Sequence, residues 1–92
     1  MASYTVPRCK HATLVANTHD TVTIARHEKG VEVRNRSDTD AIYVRFDTTT
    51  PTVAGDNTYY VAPGETYYHR VPGTLVKLIS SGNAAYSVQG VA

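Results

Sequence analysis

Apolar and polar residues alternate along this chain in short segments, and polar turn residues separate the segments about every ten positions. The alternation is clear in Thr21-Val22-Thr23-Ile24 and again over 31–34, where valine alternates with a charged residue. Side chains spaced in this way point to opposite faces of a β-strand. The regular spacing predicts a β-sandwich or a small barrel. No segment has an apolar period of 3.6 residues, so we predict little or no helix.

Two segments predict the interior of a sheet. Segment 41–46 places Ile42, Val44 and Phe46 on one face and is the strongest predicted strand. Segment 75–80 is nearly all apolar, which is typical of a central strand that is covered on both faces.

A tyrosine-rich pair of segments predicts a hairpin. Pro63 and Gly64 lie between 58–61 and 66–69, and they fit the two central positions of a type II turn. Because this turn twists the wrong way for a tight hairpin, we expect some splay or a bulge. In the hairpin register Tyr60 faces Tyr67, and Tyr59 faces Tyr68.

Counting the segments gives a small antiparallel β-sandwich of about eight short strands, in one domain over residues 11–92. Residues 1–10 contain Pro7 and do not alternate, which predicts an extended N-terminal arm. Residues 47–57 are rich in Thr, Pro, Gly, Asp and Asn, which predicts an ordered surface loop. The composition agrees with strands, since 13 Thr, 12 Val and 7 Tyr stand against 3 Leu and 1 Met.

Charge and cysteine content exclude several classes of protein. The formal net charge is +1, which does not suit a nucleic-acid-binding protein. The single cysteine, Cys9, cannot form an internal disulfide, so we expect packing and assembly to stabilise the domain. We expect no membrane span, because no apolar run approaches the length of about 20 residues that a helix needs. The first ten residues lack the apolar core of a signal peptide, which predicts synthesis in the cytoplasm.

Three strings resemble a family of short structural proteins from the virions of tailed bacteriophages, especially those that infect actinobacteria. They are VEVRNRSDTDAIYVRFD at 31–47, TPTVAGDNTYYVAPG at 50–64 and VKLISSGNAAYSVQG at 76–90. The resemblance extends from about His11 to the C-terminus, and its motifs are turns and core strands. It implies a small β-sandwich in the virion, most directly a minor capsid protein of the decoration type, with a head–tail or tail accessory protein as the alternative. It also implies a homotrimer that binds the major capsid protein, and no catalytic residues.

Candidate catalytic and metal-binding residues give weaker signals. Cys9 and three histidines lack the ligand spacing of a structural zinc site, so we predict no metal and no cofactor. A triad of Ser80 or Ser81 with His69 and Asp47 lacks a nucleophile elbow. Calcium bound by Asp47 and Asp56 is a further alternative, but the loop lacks dense carboxylate ligation. We therefore predict that the protein is not an enzyme.

The tyrosines are the most informative surface feature of the sequence. So small a core cannot hold all of them, and tyrosine and arginine are enriched at protein interfaces. The alternative to an interface is that the tyrosines form cross-strand pairs along the rims of the sheets. A carbohydrate-binding module, with exposed tyrosines as its platform, is the alternative function from another class. The predicted interface residues are Tyr43, Arg45, Asp47, Asp56, Tyr59, Tyr60, Tyr67 and Tyr68.

Overall fold

The computed structural model describes residues 2–70 and 73–91, and these ranges contain nine β-strands and no helix. The prediction of an all-β sandwich is confirmed. The ninth strand lies in the segment that was expected to be an arm. The strands are β1 Ala2–Val6, β2 Cys9–Thr13, β3 Asp20–Glu28, β4 Gly30–Asn35, β5 Ile42–Arg45, β6 Tyr59–Val61, β7 Thr66–His69, β8 Gly73–Ile79 and β9 Ala85–Val91.

The strands form two sheets. The first has the order β1-β3-β8-β5-β6, and the second has the order β2-β9-β4-β7. Strand β8 lies at the centre of the first sheet, as its apolar sequence predicts. All pairs are antiparallel except β1 with β3. The chain leaves the first sheet after β1 and returns to it at β3, so these two neighbours run in the same direction. The domain boundary that was predicted at residue 11 falls inside β2.

The core is built from alternate positions of the strands. Val22 and Ile24 of the first sheet and Val31 and Val33 of the second belong to one core cluster, and all four are at most 1% exposed. Burying such side chains contributes about 1.5–3 kcal/mol each before the entropy of ordering the chain is subtracted. The other core side chains are Leu14, Ile42, Val44, Val61, Val76, Leu78, Ala84, Tyr86 and Val88.

One buried polar pair joins the two sheets. The hydroxyl of Tyr86 on β9 donates a hydrogen bond of 2.9 Å to Oδ2 of Asp20 on β3. The backbone N–H of Ala2 donates to Oδ1 of Asp20 at 3.3 Å. Burial, and then the bond to Asp20, raise the pKa of Tyr86 far above its ordinary value. Tyr86 is therefore a neutral hydrogen-bond donor throughout the physiological range.

The predicted tyrosine hairpin is wrong, although its turn is present. The Glu65 N–H donates to the Ala62 carbonyl at 3.0 Å, and Gly64 has a φ of 77°, as a type II turn requires. This turn carries the chain from β6 in the first sheet to β7 in the second. A type II turn does not match the twist of a two-stranded hairpin, and here the two strands leave it into different sheets.

The register of the tyrosines changes accordingly. Tyr60 lies opposite Tyr43 of β5, and Tyr59 lies opposite Val44. Tyr67 lies opposite Val33 of β4. Neither predicted cross-strand tyrosine pair forms.

The buried side chain of Asn35 ties together the end of the sandwich at which β4 finishes. Its Nδ2 donates to the carbonyls of Asp40 at 2.7 Å and Val61 at 3.1 Å. Its Oδ1 accepts the N–H of Ser37 at 2.9 Å. Ser80, which is also fully buried, donates its hydroxyl to the Ala41 carbonyl at 2.7 Å. Two buried side chains thus bond to backbone groups of the 36–41 turn, and their own polar atoms are satisfied in return, as buried polar groups require.

Candidate interaction surface

Four ring side chains close the side of the sandwich between the edge strands β6 and β7. Phe46, just after β5, stacks on His69 with the ring centroids 3.9 Å apart and the planes 3° from parallel. Tyr59 and Tyr67 pack against this pair and lie 5.2 Å from each other. We call Phe46, Tyr59, Tyr67 and His69 the aromatic cluster. It connects the two sheets where no strand pairing does.

The aromatic cluster lowers the basicity of its one imidazole. Desolvation by the surrounding rings lowers the pKa of His69 below its ordinary value. Burial also raises the pKa of the Tyr67 hydroxyl. Both groups are therefore uncharged at neutral pH, which suits their position between the sheets.

Two tyrosines project from the outer face of the first sheet next to the aromatic cluster. Tyr60 is 60% exposed, and its ring lies 5.7 Å from that of Tyr43. Tyr59, which is 39% exposed, continues this apolar area around the sheet edge. We call Tyr43, Tyr59 and Tyr60 the tyrosine surface. The rings of Tyr43 and Tyr60 are tilted by 58°, so they do not form the flat platform that stacks on a sugar ring.

An ion pair borders the tyrosine surface. Arg45 forms a two-pronged contact with Asp47, in which Nε donates to Oδ1 at 3.3 Å and Nη2 donates to Oδ2. The guanidinium also donates to the carbonyl of Asn57. The hydrogen bond from Arg45, followed by that from the Thr49 N–H, lowers the pKa of the Asp47 carboxyl. The same bond raises the pKa of Arg45. These contacts link both ends of the 47–57 loop to β5.

Hydrogen-bonded turns shape the 47–57 loop. Pro51 is buried, and the Gly55 N–H donates to the Thr52 carbonyl at 3.0 Å to close a turn. Ala54 adopts a left-handed φ of 57° inside this turn, which is uncommon for a residue with a side chain. Asp56 is exposed on the loop and does not join the ion pair of Arg45 with Asp47.

The structure divides the eight predicted interface residues among several places. Tyr67 belongs to the aromatic cluster and faces the core. Tyr68 lies on the outer face of the second sheet, with the Arg70 guanidinium 5.2 Å from its ring centroid. It is thus separated from Tyr60 by the thickness of the sandwich. Three residues of the set form the tyrosine surface, and Arg45 and Asp47 border it.

Sequence reasoning missed Phe46 and His69 as partners. Phe46 was placed in the core, and His69 was considered only as part of a triad. The alternation of β7 contained the necessary signal, because His69 is two positions from Tyr67 and therefore shares its face. The sequence did not indicate that β6 and β7 belong to different sheets.

The residues of the candidate triad lie apart. Asp47 follows β5 and His69 belongs to the aromatic cluster, at one end of the sandwich. Ser80 follows β8, which runs antiparallel to β5, so it lies at the opposite end. The Ser80 hydroxyl is already bonded to the Ala41 carbonyl. The three side chains therefore do not act together.

Within residues 2–70 and 73–91 there is no pocket, and no group of three or more His, Cys, Asp or Glu side chains is placed to hold a metal ion. No described helix is long and apolar enough to cross a membrane. The chain matches no protein-family model, no curated protein and no solved structure.

Proposed function

We propose that the protein is a non-enzymatic structural protein of a bacteriophage virion, a capsid decoration protein that binds the major capsid shell. The observation that carries the proposal is the position of the exposed large apolar side chains. Within the described residues these are Val15, Tyr59, Tyr60 and Tyr68. Tyr59 and Tyr60 are neighbours on β6 at the edge of the first sheet, whereas Tyr68 lies on the outer face of the second sheet. The bacteriophage virion is proposed because the sequence resembles virion proteins.

Tyrosine is suited to this task for a physical reason. It buries a large area, loses little conformational entropy because it has only two side-chain torsions, and keeps a hydroxyl for a hydrogen bond. Tyr60 is held by Tyr43 on one side and leaves most of its ring in solvent. A partner that covers this ring would gain apolar burial without having to order the tyrosine surface first.

The size of the domain bears on how it would bind. A specific interface covers about 800 Å² on each partner. That is roughly one sixth of the chain's surface of 4872 Å². The tyrosine surface would therefore form the centre of a contact that also includes the 47–57 loop. A trimer bound to the shell would use a second area of similar size on each subunit.

A binding experiment tests the proposal. The probe is the empty shell assembled from the major capsid protein that is encoded in the same genome, mixed with the purified chain and sedimented. We expect the chain to sediment with the shell at a saturable number of copies, and to sediment as a trimer when it is alone. A chain that stays in the supernatant with shells, but is retained by a polysaccharide column, would overturn the proposal in favour of the carbohydrate-binding alternative.

A second result separates the capsid from the tail. We expect mass spectrometry to detect the chain in purified phage heads. Its presence in tails alone would replace the decoration role by that of a tail accessory protein.

A further inference from the structure

A thiol, an imidazole and a hydroxyl form a chain of contacts on the outer face of the second sheet. Cys9 Sγ lies 3.4 Å from Nε2 of His11, and Nδ1 of His11 lies 2.6 Å from Oγ of Ser87. Cys9 and His11 are two apart on β2 and so share a face, and His11 lies directly opposite Ser87 of β9. The tyrosine surface is on the other sheet. Nothing in the proposed function uses these three groups.

One tautomer of His11 makes its Nε2 a base for the thiol. If Nδ1 carries the proton and donates it to Ser87 Oγ, then Nε2 has a free lone pair that faces the thiol. The thiol S–H donates to that lone pair. Ser87 also accepts a hydrogen bond from the imidazolium that would form if the thiol proton moved to Nε2. A nucleophile in reach of a base, with the base oriented by a third group, is the arrangement that activates thiols and hydroxyls.

The Cys9 thiol also has access to solvent. Cys9 is half-buried at the start of edge strand β2, and His11 is exposed. The sulfur is therefore not buried in the core. It also forms no disulfide within the chain, since Cys9 is the only cysteine of the sequence. A reactive cysteine must combine nearby proton acceptors with access for its reagent, and this cysteine has both.

We propose that Cys9, with His11 as its base and Ser87 as the positioning residue of that base, is a thiol-exchange site for small-molecule disulfides. The thiol passes its proton to His11 Nε2, and the sulfur attacks one sulfur of the disulfide. A new S–S bond forms to Cys9 while the S–S bond of the reagent breaks. The departing sulfur takes the bond's electron pair and receives the proton from the imidazolium. The products are one mixed disulfide on the protein and one free small thiol, so no further oxidant is required.

The reaction of the folded, full-length chain with 5,5′-dithiobis(2-nitrobenzoate) tests the proposal. The departing sulfur of this reagent is released as a coloured thiolate, which passes its share of the proton to solvent and reports the second-order rate constant. The variants are His11→Phe, which keeps a ring but removes the base, and Ser87→Ala, which removes the positioning hydroxyl. We expect the rate constant at pH 7 to fall about tenfold in H11F, and about threefold in S87A. Thr13→Ala, on the same strand and face, is the matched control and should react like the unchanged protein.

Two further measurements separate activation from exposure of the sulfur. In 8 M urea all four chains should react at one rate, because the cluster is then absent. The pH profile of H11F should follow hydroxide concentration more steeply than that of the unchanged protein below pH 8. Equal rate constants for folded H11F and the unchanged protein at pH 7 would overturn the proposal. So would a difference between them that persists in urea.

Discussion

Two regions of the molecule are held together by different kinds of contact, one by buried hydrogen bonds and the other by aromatic rings. At the end where β4 finishes, the Asn35 and Ser80 side chains bond to backbone carbonyls and are fully buried, and we call these two residues with their partners the Asn35 region. At the side between β6 and β7, the aromatic cluster joins the sheets through ring contacts, and Tyr59 remains 39% exposed. The first region satisfies its polar groups internally. The second leaves apolar surface in solvent.

The difference shows which region would gain free energy by burying its surface against a partner. A region whose polar groups are already paired and buried offers a partner little free energy. A region that holds rigid aromatic rings half in solvent offers the burial that the domain itself does not complete. The Asn35 region is therefore structural, and we propose that the tyrosine surface is the binding region.

Replacing Asn35 should have the largest effect on stability. Asn35→Ala leaves the carbonyls of Asp40 and Val61 and the N–H of Ser37 without their buried partner. We expect the free energy of unfolding to fall by about 3 kcal/mol, measured by urea denaturation. The matched control is Asn83→Ala, since Asn83 is exposed and its Oδ1 accepts the Ala16 N–H. A loss in N35A as small as that in N83A would remove the contrast between the two regions.

Removing the buried hydroxyl of Tyr86 should have the next largest effect. Tyr86→Phe keeps the ring in the core but deprives Asp20 Oδ2 of its 2.9 Å donor. We expect a loss of about 2 kcal/mol in the free energy of unfolding, because a buried carboxylate loses a hydrogen bond. Unchanged stability in Y86F would mean that the pair adds nothing to the packing between the sheets.

The aromatic cluster predicts a pH dependence that the Asn35 region lacks. Its rings lower the pKa of His69 in the folded state, so the unfolded chain binds a proton more readily. Stability from this residue is present above the unfolded pKa of about 6.5 and is lost as the pH falls through the lower, folded pKa. Urea denaturation between pH 5 and pH 8 should therefore show a smaller decline in His69→Phe than in the unchanged protein. Parallel curves would contradict the assignment of the decline to His69.

Exposed tyrosine should have the smallest effect on stability. Tyr60→Ser removes a side chain that is 60% exposed and contacts Tyr43. We expect the free energy of unfolding to change by less than about 0.5 kcal/mol. A loss comparable to that in N35A would place Tyr60 with the structural residues.

Sequence alone predicted the strands better than their partners. Period-two alternation identified the faces of Val22, Val31 and Val44 because it depends on local geometry alone. The Pro63-Gly64 turn was also predicted correctly. The hairpin was wrong because the type of a turn does not determine which sheet the next strand joins.

The polar anchors were harder to predict. Asn35 lies near the end of the predicted strand that begins at Val31, and only the fold brings the Val61 carbonyl to its side chain. Cys9 and His11 were compared with metal ligands because their spacing is visible in the sequence. Ser87 is 76 residues away from His11, and only strand pairing reveals it as a partner.

Sedimentation of Tyr60→Ser with the empty capsid shell tests most directly whether the tyrosine surface binds the shell, with Val15→Ser as the matched control. Val15 is 65% exposed but lies outside the tyrosine surface, so both variants lose one exposed apolar side chain. We predict that Y60S binds the shell at least about tenfold more weakly, as expected for an interface hot spot, while V15S binds like the unchanged protein. Equal binding by Y60S and the unchanged protein, with both folded, would contradict the assignment of the tyrosine surface as the contact.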